Sequence, residues 1–387
     1  MRKTPSLSII INLCGDRIQR EMDKYAAILL SRQPLRPTGN TAWVRLTVAA
    51  LRWLKGQRMG VISSIGLQTW EMVTALASDL DLPIRLYLPR VDGPGFSAEC
   101  QQLIYDYELD PCQTEFLPVA GAPEGERRAL MASRDRAVCE RADLLLPVSV
   151  RKSGSLVEWI EQAESVGREV DSRFQVPHER RAEPMKIVVD PDKLRGEIRR
   201  LGDEYIVHWT RGISHPWPGE RRIDFYRAIV PSENWPRSGM ATLGRIVESQ
   251  TILASSRHMP GGASTVSFSS LPPSEVVGLM RWRARYGEMS FEPYGLGVDR
   301  ETAARIGICP VHYYQDGDRK SIPAESVWLS QSRGRITDWR DESEYRHSGD
   351  LSLGQLPPDS LALFCRTATE ADQLRRRFPY RVIPFLS

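Results

Sequence analysis

The stretch RDRAVCERADLLLPVSVRKSGSLVEWIEQAESVGREV, Arg134–Val170, carries the clearest fold signal in the chain. Its apolar run, Asp143–Val148, is too short for a stable helix and is bounded by charge, which predicts a buried strand. The polar loop Arg151–Ser155 follows, and from Leu156 to Ser165 the apolar residues recur at helical spacing. Strand, tight turn and helix in that order form half of a βαβ unit. The first amides of a helix lack partners within it, so the backbone at Ser153, Gly154 and Ser155 offers donors to a phosphate or carboxylate. Arg134, Arg136, Arg151 and Lys152 are placed to add charge-assisted hydrogen bonds to the same anion. The plainer alternative is that Ser153 caps the helix and the basic residues are solvated.

Working outward, the same alternation of short apolar runs and longer amphipathic ones fills the chain to about residue 180. Strands are expected at Ser8–Leu13, Met59–Ser63 and Pro83–Leu88, and helices at Arg20–Ser31, Ala42–Leu54 and Gln68–Leu80. That order predicts an α/β domain with a doubly wound parallel sheet (Rossmannoid), which binds ligands at the carboxyl ends of its strands. Gly60–Gly66 (GVISSIG) turns from a strand into a helix, so Ser63 and Gly66, with Ser64, are expected to form the opposite wall of the anion site. Trp70 and Glu71 fall in the first turn of that helix, where Trp reads as core. The charged, proline-bearing stretch Gln175–Arg200 reads as a connector. The expected domains are 1–180 and 205–387, with 181–204 as linker. The second half has short apolar runs between Gly, Pro and Ser, with helices at Ala241–Glu248 and Ser274–Arg285. This texture predicts an α+β domain, mainly antiparallel.

Composition narrows the function classes. The 387 residues hold 52 Lys and Arg against 49 Asp and Glu, a small excess that argues against a dedicated duplex-DNA binder. The six cysteines are scattered with no Cys-x-x-Cys pair, so no zinc site is expected. No run approaches the ~20 apolar residues of a membrane span. The opening MRKTPSLSIIINLCGDR reads as a first strand rather than a signal peptide, and a cytoplasmic location is expected. The sequence lacks a P-loop, a Gly-x-Ser-x-Gly elbow and a His-Glu-x-x-His helix, which argues against kinase, hydrolase and metalloprotease chemistry.

Over about forty residues the first half resembles the SMF/DprA branch of the SMF/DprA–LOG (SLOG) superfamily. The likeness rests on Arg134-Asp135-Arg136 before a strand, Ser153-Gly154-Ser155 after it, then Gly167-Arg168-Glu169-Val170 and Val176-Pro177. The family has Arg-Asn-Arg at the first position. The Pro-Gly-Gly-x-Gly-Thr loop of the LOG enzymes is absent. The resemblance implies a binder of nucleotides or single-stranded nucleic acid rather than a phosphoribohydrolase.

In the second half, Val207-His208-Trp209-Thr210, Arg257 with Val266–Ser269, and Trp339-Arg340-Asp341-Glu342-Ser343-Glu344-Tyr345-Arg346 come in an order that resembles ADP-ribosyltransferases of DNA-modifying toxins and abortive-infection proteins. The resemblance implies NAD as substrate, with His208 and Thr210 holding it, Arg257 (or Arg245) on the pyrophosphate and Tyr294 stacking on nicotinamide. Glu344 would steady the oxocarbenium-like transition state, with Glu342 as its alternate or partner. A cross-strand ion ladder of Arg340, Glu342, Glu344 and Arg346 explains the same residues without catalysis. The implied function is an ADP-ribosyltransferase or NAD glycohydrolase effector controlled by a nucleotide-sensing domain, in antiphage defence or stress response. The competing expectation is a non-catalytic binder of single-stranded nucleic acid, in which the tryptophans and the loops RWRAR and SRGR add stacking and phosphate contacts. The expected partners are a nucleotide signal and nucleic acid as acceptor or ligand, with self-association left open and no membrane.

Overall fold

The computed structural model describes residues 24–90, 93, 95–119, 127–179, 187–257, 259–283, 287–315, 322–334 and 338–387. The strand expected at Ser8–Leu13 lies outside the described residues. The chain divides into two compact units, one of Met1–Ala182 with Ser214–Pro236, the other of Glu183–Ile213 with Arg237–Ser387.

The first unit is built on β1 (Tyr25–Leu30), β2 (Gly60–Ser64), β3 (Ile84–Leu88), β4 (Thr114–Pro118), β5 (Leu144–Ser149) and β6 (Glu169–Val170). Its helices are α1 (Ala42–Gly56), α2 (Gln68–Asp79), α3 (Phe96–Tyr107), α4 (Arg127–Arg141) and α5 (Ser155–Ser165). The six strands are all parallel in the order β4-β3-β2-β1-β5-β6, so chain progression reverses between β1 and β5. This is the doubly wound sheet that the alternation predicts. The helix expected over Arg20–Ser31 is corrected: from Tyr25 the chain is a strand with all six residues buried. A short, wholly apolar run has no periodicity to separate strand from helix, and a parallel strand covered on both faces looks like this.

One helix of this unit comes from far along the chain. In α6 (Arg222–Ile229) the residues Ile223, Phe225, Tyr226 and Ile229, with Trp235 beyond it, share a core with Ile28, Leu51, Met72 and Leu103. Glu71 of α2 accepts hydrogen bonds from Arg222 Nη1 at 2.6 Å and Tyr226 Oη at 2.9 Å, fixing the helix at its polar edge. The expected boundary of 205–387 therefore fails over Ser214–Pro236.

The second unit centres on a seven-stranded sheet of β7 (Tyr205–Trp209), β8 (Thr265–Ser269), β9 (Gly295–Asp299), β10 (Cys309–Pro310), β11 (Glu344–Ser348), β12 (Leu361–Cys365) and β13 (Arg381–Pro384). In space the order is β10-β11-β8-β7-β9-β12-β13, antiparallel except for the β12–β13 pair. The helices α7 (Gly239–Ser249) and α8 (Ala368–Arg377) belong to this unit. Cores lie on both faces of the sheet, and one includes Val189, Leu194, Ile198 and Leu201. Residues 187–204 are therefore part of the domain rather than a linker. The helix expected over Ser274–Arg285 shortens to Pro273–Val276 and a 3-10 turn, Val277–Leu279. Trp282 and Arg283 then pair with Met289 and Glu288 as a small antiparallel ribbon, which ends the helix.

Phe225 is 1% exposed and packs edge-on against Tyr226 and Trp235, at 5.0 and 5.9 Å between ring centroids. Phe225→Ala should cost the first unit about 3–5 kcal/mol. Urea unfolding followed by a probe on residues 24–179 checks this, and an unchanged midpoint would deny that α6 belongs to that core.

Candidate functional site

At the carboxyl ends of β1 and β5, residues 31–33, the loop after β5 and His178 are tied together. Ser31 N donates to Ser149 O at 2.9 Å, and its hydroxyl accepts from Arg151 N at 3.0 Å. Gln33 Nε2 donates to Ser149 O at 3.2 Å and lies 3.1 Å from His178 Nδ1, while Arg151 Nε lies 3.3 Å from His178 Nε2. A neutral imidazole accepts at one nitrogen only, so it cannot serve both donors at once. The longer Arg151 contact is the one more easily given up to an incoming anion. Gln33 is 5% exposed, and its Oε1 is buried with no hydrogen-bond partner among the described residues.

The loop Arg151–Ser155 is exposed along its whole length. It enters α5 through Gly154 at φ 114° and ψ 174°, and no side chain caps the helix. That backbone region is almost closed to residues with a Cβ. Ser153 does not cap α5, so that part of the plainer explanation fails, while the exposed Arg151 and Lys152 fit its other part. Two cations, Arg151 and Lys152, stand against one first-turn carboxylate, Glu158. Ser31 and Gln33 were missed by sequence reasoning because the β1 region read as helix, and His178 because it fell in the stretch read as a connector. Polar residues directly after the apolar run were the signal available.

The other residues expected at this site, Arg136 apart, point inward. Arg134 is 2% exposed; its Nη1 donates to Ile65 O and contacts Ser64 Oγ at 3.3 Å. Arg134 Nε lies 2.8 Å from Asp135 Oδ1 but its N–H is misaligned, so this is a charge pair rather than a full hydrogen bond. Asp135 also accepts from Trp70 Nε1 at 2.8 Å; burial pushes its carboxyl up and Arg134 opposes the shift. Ser63 Oγ donates to Trp70 O at 3.1 Å and accepts from Thr74 Oγ1 at 2.9 Å. Gly66 N is taken by Glu71 Oε1 at 3.1 Å, and Arg136 pairs with Glu140 on the exposed side of α4. Arg134, Ser63 and Gly66 therefore hold the β2–α2 turn from within, and Arg136 is in a solvated i,i+4 pair.

In the second unit, strand pairing decides the proposed NAD cleft. Glu344 pairs with Ser269, and Ser269 pairs with Val207, so these three side chains share one face. His208, one residue on, lies on the other face, across from Leu296 and beside Phe268. The pleat alone separates His208 from Glu344. Thr210 and Tyr294 are 3% and 5% exposed. Thr210 Oγ1 donates to Gly239 O, and Tyr294 Oη donates to Glu370 Oε1. Burial, then Glu370, pushes the Tyr294 phenol far up, so it is a core residue rather than a stacking platform. Arg257 is exposed in the loop before β8.

Glu344 accepts two hydrogen bonds from Arg346, 2.8 Å from Nε and 2.9 Å from Nη2, and a third from Ser267 Oγ at 2.9 Å. Arg346 is 1% exposed and donates further to Trp328 O, Ser330 O and Gln331 Oε1, which uses all five of its N–H groups. The ion-ladder reading survives here as one bidentate pair, while Arg340 turns to Asp338 instead. Burial pushes the Glu342 carboxyl up, against Arg283 at 3.3 Å. His208 and Glu344 therefore lie on opposite faces of the sheet, and Thr210 and Tyr294 are engaged in internal hydrogen bonds.

No family model matches the chain, and no curated protein does. A solved structure of DNA processing protein A from Helicobacter pylori, described for its single-stranded DNA binding mode, is similar at 14% identity over 44% of this chain and 77% of that chain. Its TM-score of 0.27 is too low to support an argument, and the fold rests on the sheet itself. No helix among the described residues is long and apolar enough to cross a membrane.

Burial lowers the His208 pKa, its bond to Ser267 O opposing the shift, so the folded unit holds the ring neutral where the unfolded chain takes up a proton. The stability this represents is complete above the unfolded value and is lost as pH falls from about 6.5 toward the lower folded value, by up to ~1.4 kcal/mol per pH unit. Against His208→Asn, wild type should lose its advantage as pH falls below about 6.5. Parallel thermal melts would show no such convergence if the ring were protonated in place.

Proposed function

We propose that the first unit binds a nucleoside phosphate through the Arg151–Ser155 loop, at the carboxyl ends of β1 and β5. One observation carries the reading: α5 opens without a side-chain cap, through a glycine at φ 114°, where the strand order reverses. Helix N-termini bind phosphate through free amides and the positive end of the helix dipole, and the strand-order reversal is where doubly wound sheets take ligands. Arg151 and Lys152 supply the matching charge. NAD, as a dinucleotide, belongs to the ligand class tested. Nothing in the second unit's geometry supports its cleavage there, so nicotinamide release is not part of the proposal.

Calorimetric titration of the full chain with pyrophosphate, nucleoside triphosphates, NAD and an oligothymidylate tests the reading. A nucleoside phosphate should bind, and Arg151→Ala with Lys152→Ala should weaken it at least tenfold, as expected for two charge-assisted contacts. Affinity that rises steadily with oligonucleotide length, with no mononucleotide binding, would move the ligand to a single strand. Binding of none of these would end the proposal.

Gly154→Val gives a separate check. The loop must leave its φ of 114°, at a strain of about 1–3 kcal/mol, so ligand affinity should collapse. The loop is exposed, so the protein should remain folded by circular dichroism.

A further inference from the structure

We propose that Gln33 sets the ligand specificity of this site by accepting a hydrogen bond from a hydroxyl or amino group on the nucleoside. The inference rests on the phosphate reading above but has its own observation. Gln33 lies three residues beyond β1 and is 95% buried, from its 5% exposure, yet its Oε1 has no partner among the described residues. Its orientation is fixed, because Nε2 donates to Ser149 O at 3.2 Å and faces His178 Nδ1 at 3.1 Å. Turning the amide over would set Oε1 against the Ser149 carbonyl oxygen, so the acceptor stays where it is.

A buried acceptor left unmade is costly, and a donor from a ligand is one way to complete it. The Ser149 carbonyl that anchors Gln33 ends β5, two residues before the loop that would hold the phosphate, and Arg151 N is bonded to Ser31, two residues before Gln33. Phosphate donors and the orphan acceptor thus belong to one bonded cluster of side chain and backbone. Pyrophosphate uses only the first. A nucleoside phosphate also uses the second, through a ribose hydroxyl or a base amino group. Sites built to meet such a donor reject analogues lacking it more strongly than apolar pockets reject shape changes.

The experiment compares the affinity of the full chain for pyrophosphate with that for the four ribonucleoside triphosphates, in wild type and Gln33→Met. The best triphosphate should outbind pyrophosphate about tenfold, and Gln33→Met should erase that margin by costing the triphosphate about tenfold more than it costs pyrophosphate. The 2′-deoxy and N-dimethylated forms of that triphosphate are titrated against wild type in parallel, so the result stands even if Gln33→Met fails to fold. One of them should lose about tenfold. A margin that persists in the folded variant, or wild-type affinity indifferent to both changes, overturns the role of Gln33 and leaves the phosphate site standing. No binding even of pyrophosphate removes both.

Discussion

Strand β1 is the constraint from which the first unit follows. It pairs with β2 on one edge and β5 on the other, so every backbone group along Tyr25–Leu30 must be met by a strand and every side chain by a helix layer. The run YAAILL supplies that with small and aliphatic residues, all buried. With β1 fixed between them, β2, β3 and β4 build outward one way and β5 and β6 the other. The reversal brings the ends of β1 and β5 together, and with them Ser31, Gln33 and the Arg151–Ser155 loop.

The second unit obeys a different constraint, the two-residue period of a pleated sheet with cores on both faces. A motif one residue apart on neighbouring strands is then divided between two environments. His208 falls among Phe268 and Leu296, and Glu344 falls with Ser267 and Arg346. Breaking the Glu344–Arg346 pair would leave a buried charge unmet, so its presence has a structural explanation that needs no ligand.

What could be read from the sequence was whatever local periodicity decides. The runs Met59–Leu88 and Asp143–Ser165 read as strands and helices within a residue or two, because buried β-strands and amphipathic helices differ there in length and spacing, whereas α3, β4 and α4 between them were not expected. Residues whose partners lie far away were not legible. Ile223, Phe225, Tyr226 and Ile229 announce an amphipathic helix but not which core it enters. Arg134 resembles a ligand-binding arginine as a letter, and only its contact with the Ile65 carbonyl, 69 residues away, shows it to be internal. Gln33 went unnoticed because the preceding apolar run suited a helix equally well.

The three central strands β1, β2 and β5 each lead into a helix whose entrance presents unpaired amides to the same edge of the sheet. Three residues before α1, the distant segment meets the chain: Gly39 N donates to Ser232 O, and a Cβ at Gly39 would collide with the Val230 carbonyl. At α2 a carboxylate of the helix's first turn, Glu71, reaches back to Gly66 N in the preceding turn, where the dipole favours negative charge. At α5 no side chain performs that office, and the entry residue is a glycine with basic neighbours. All three helices start without a side-chain cap, so what sets α5 apart is its glycine entry at φ 114° with Arg151 and Lys152 beside it.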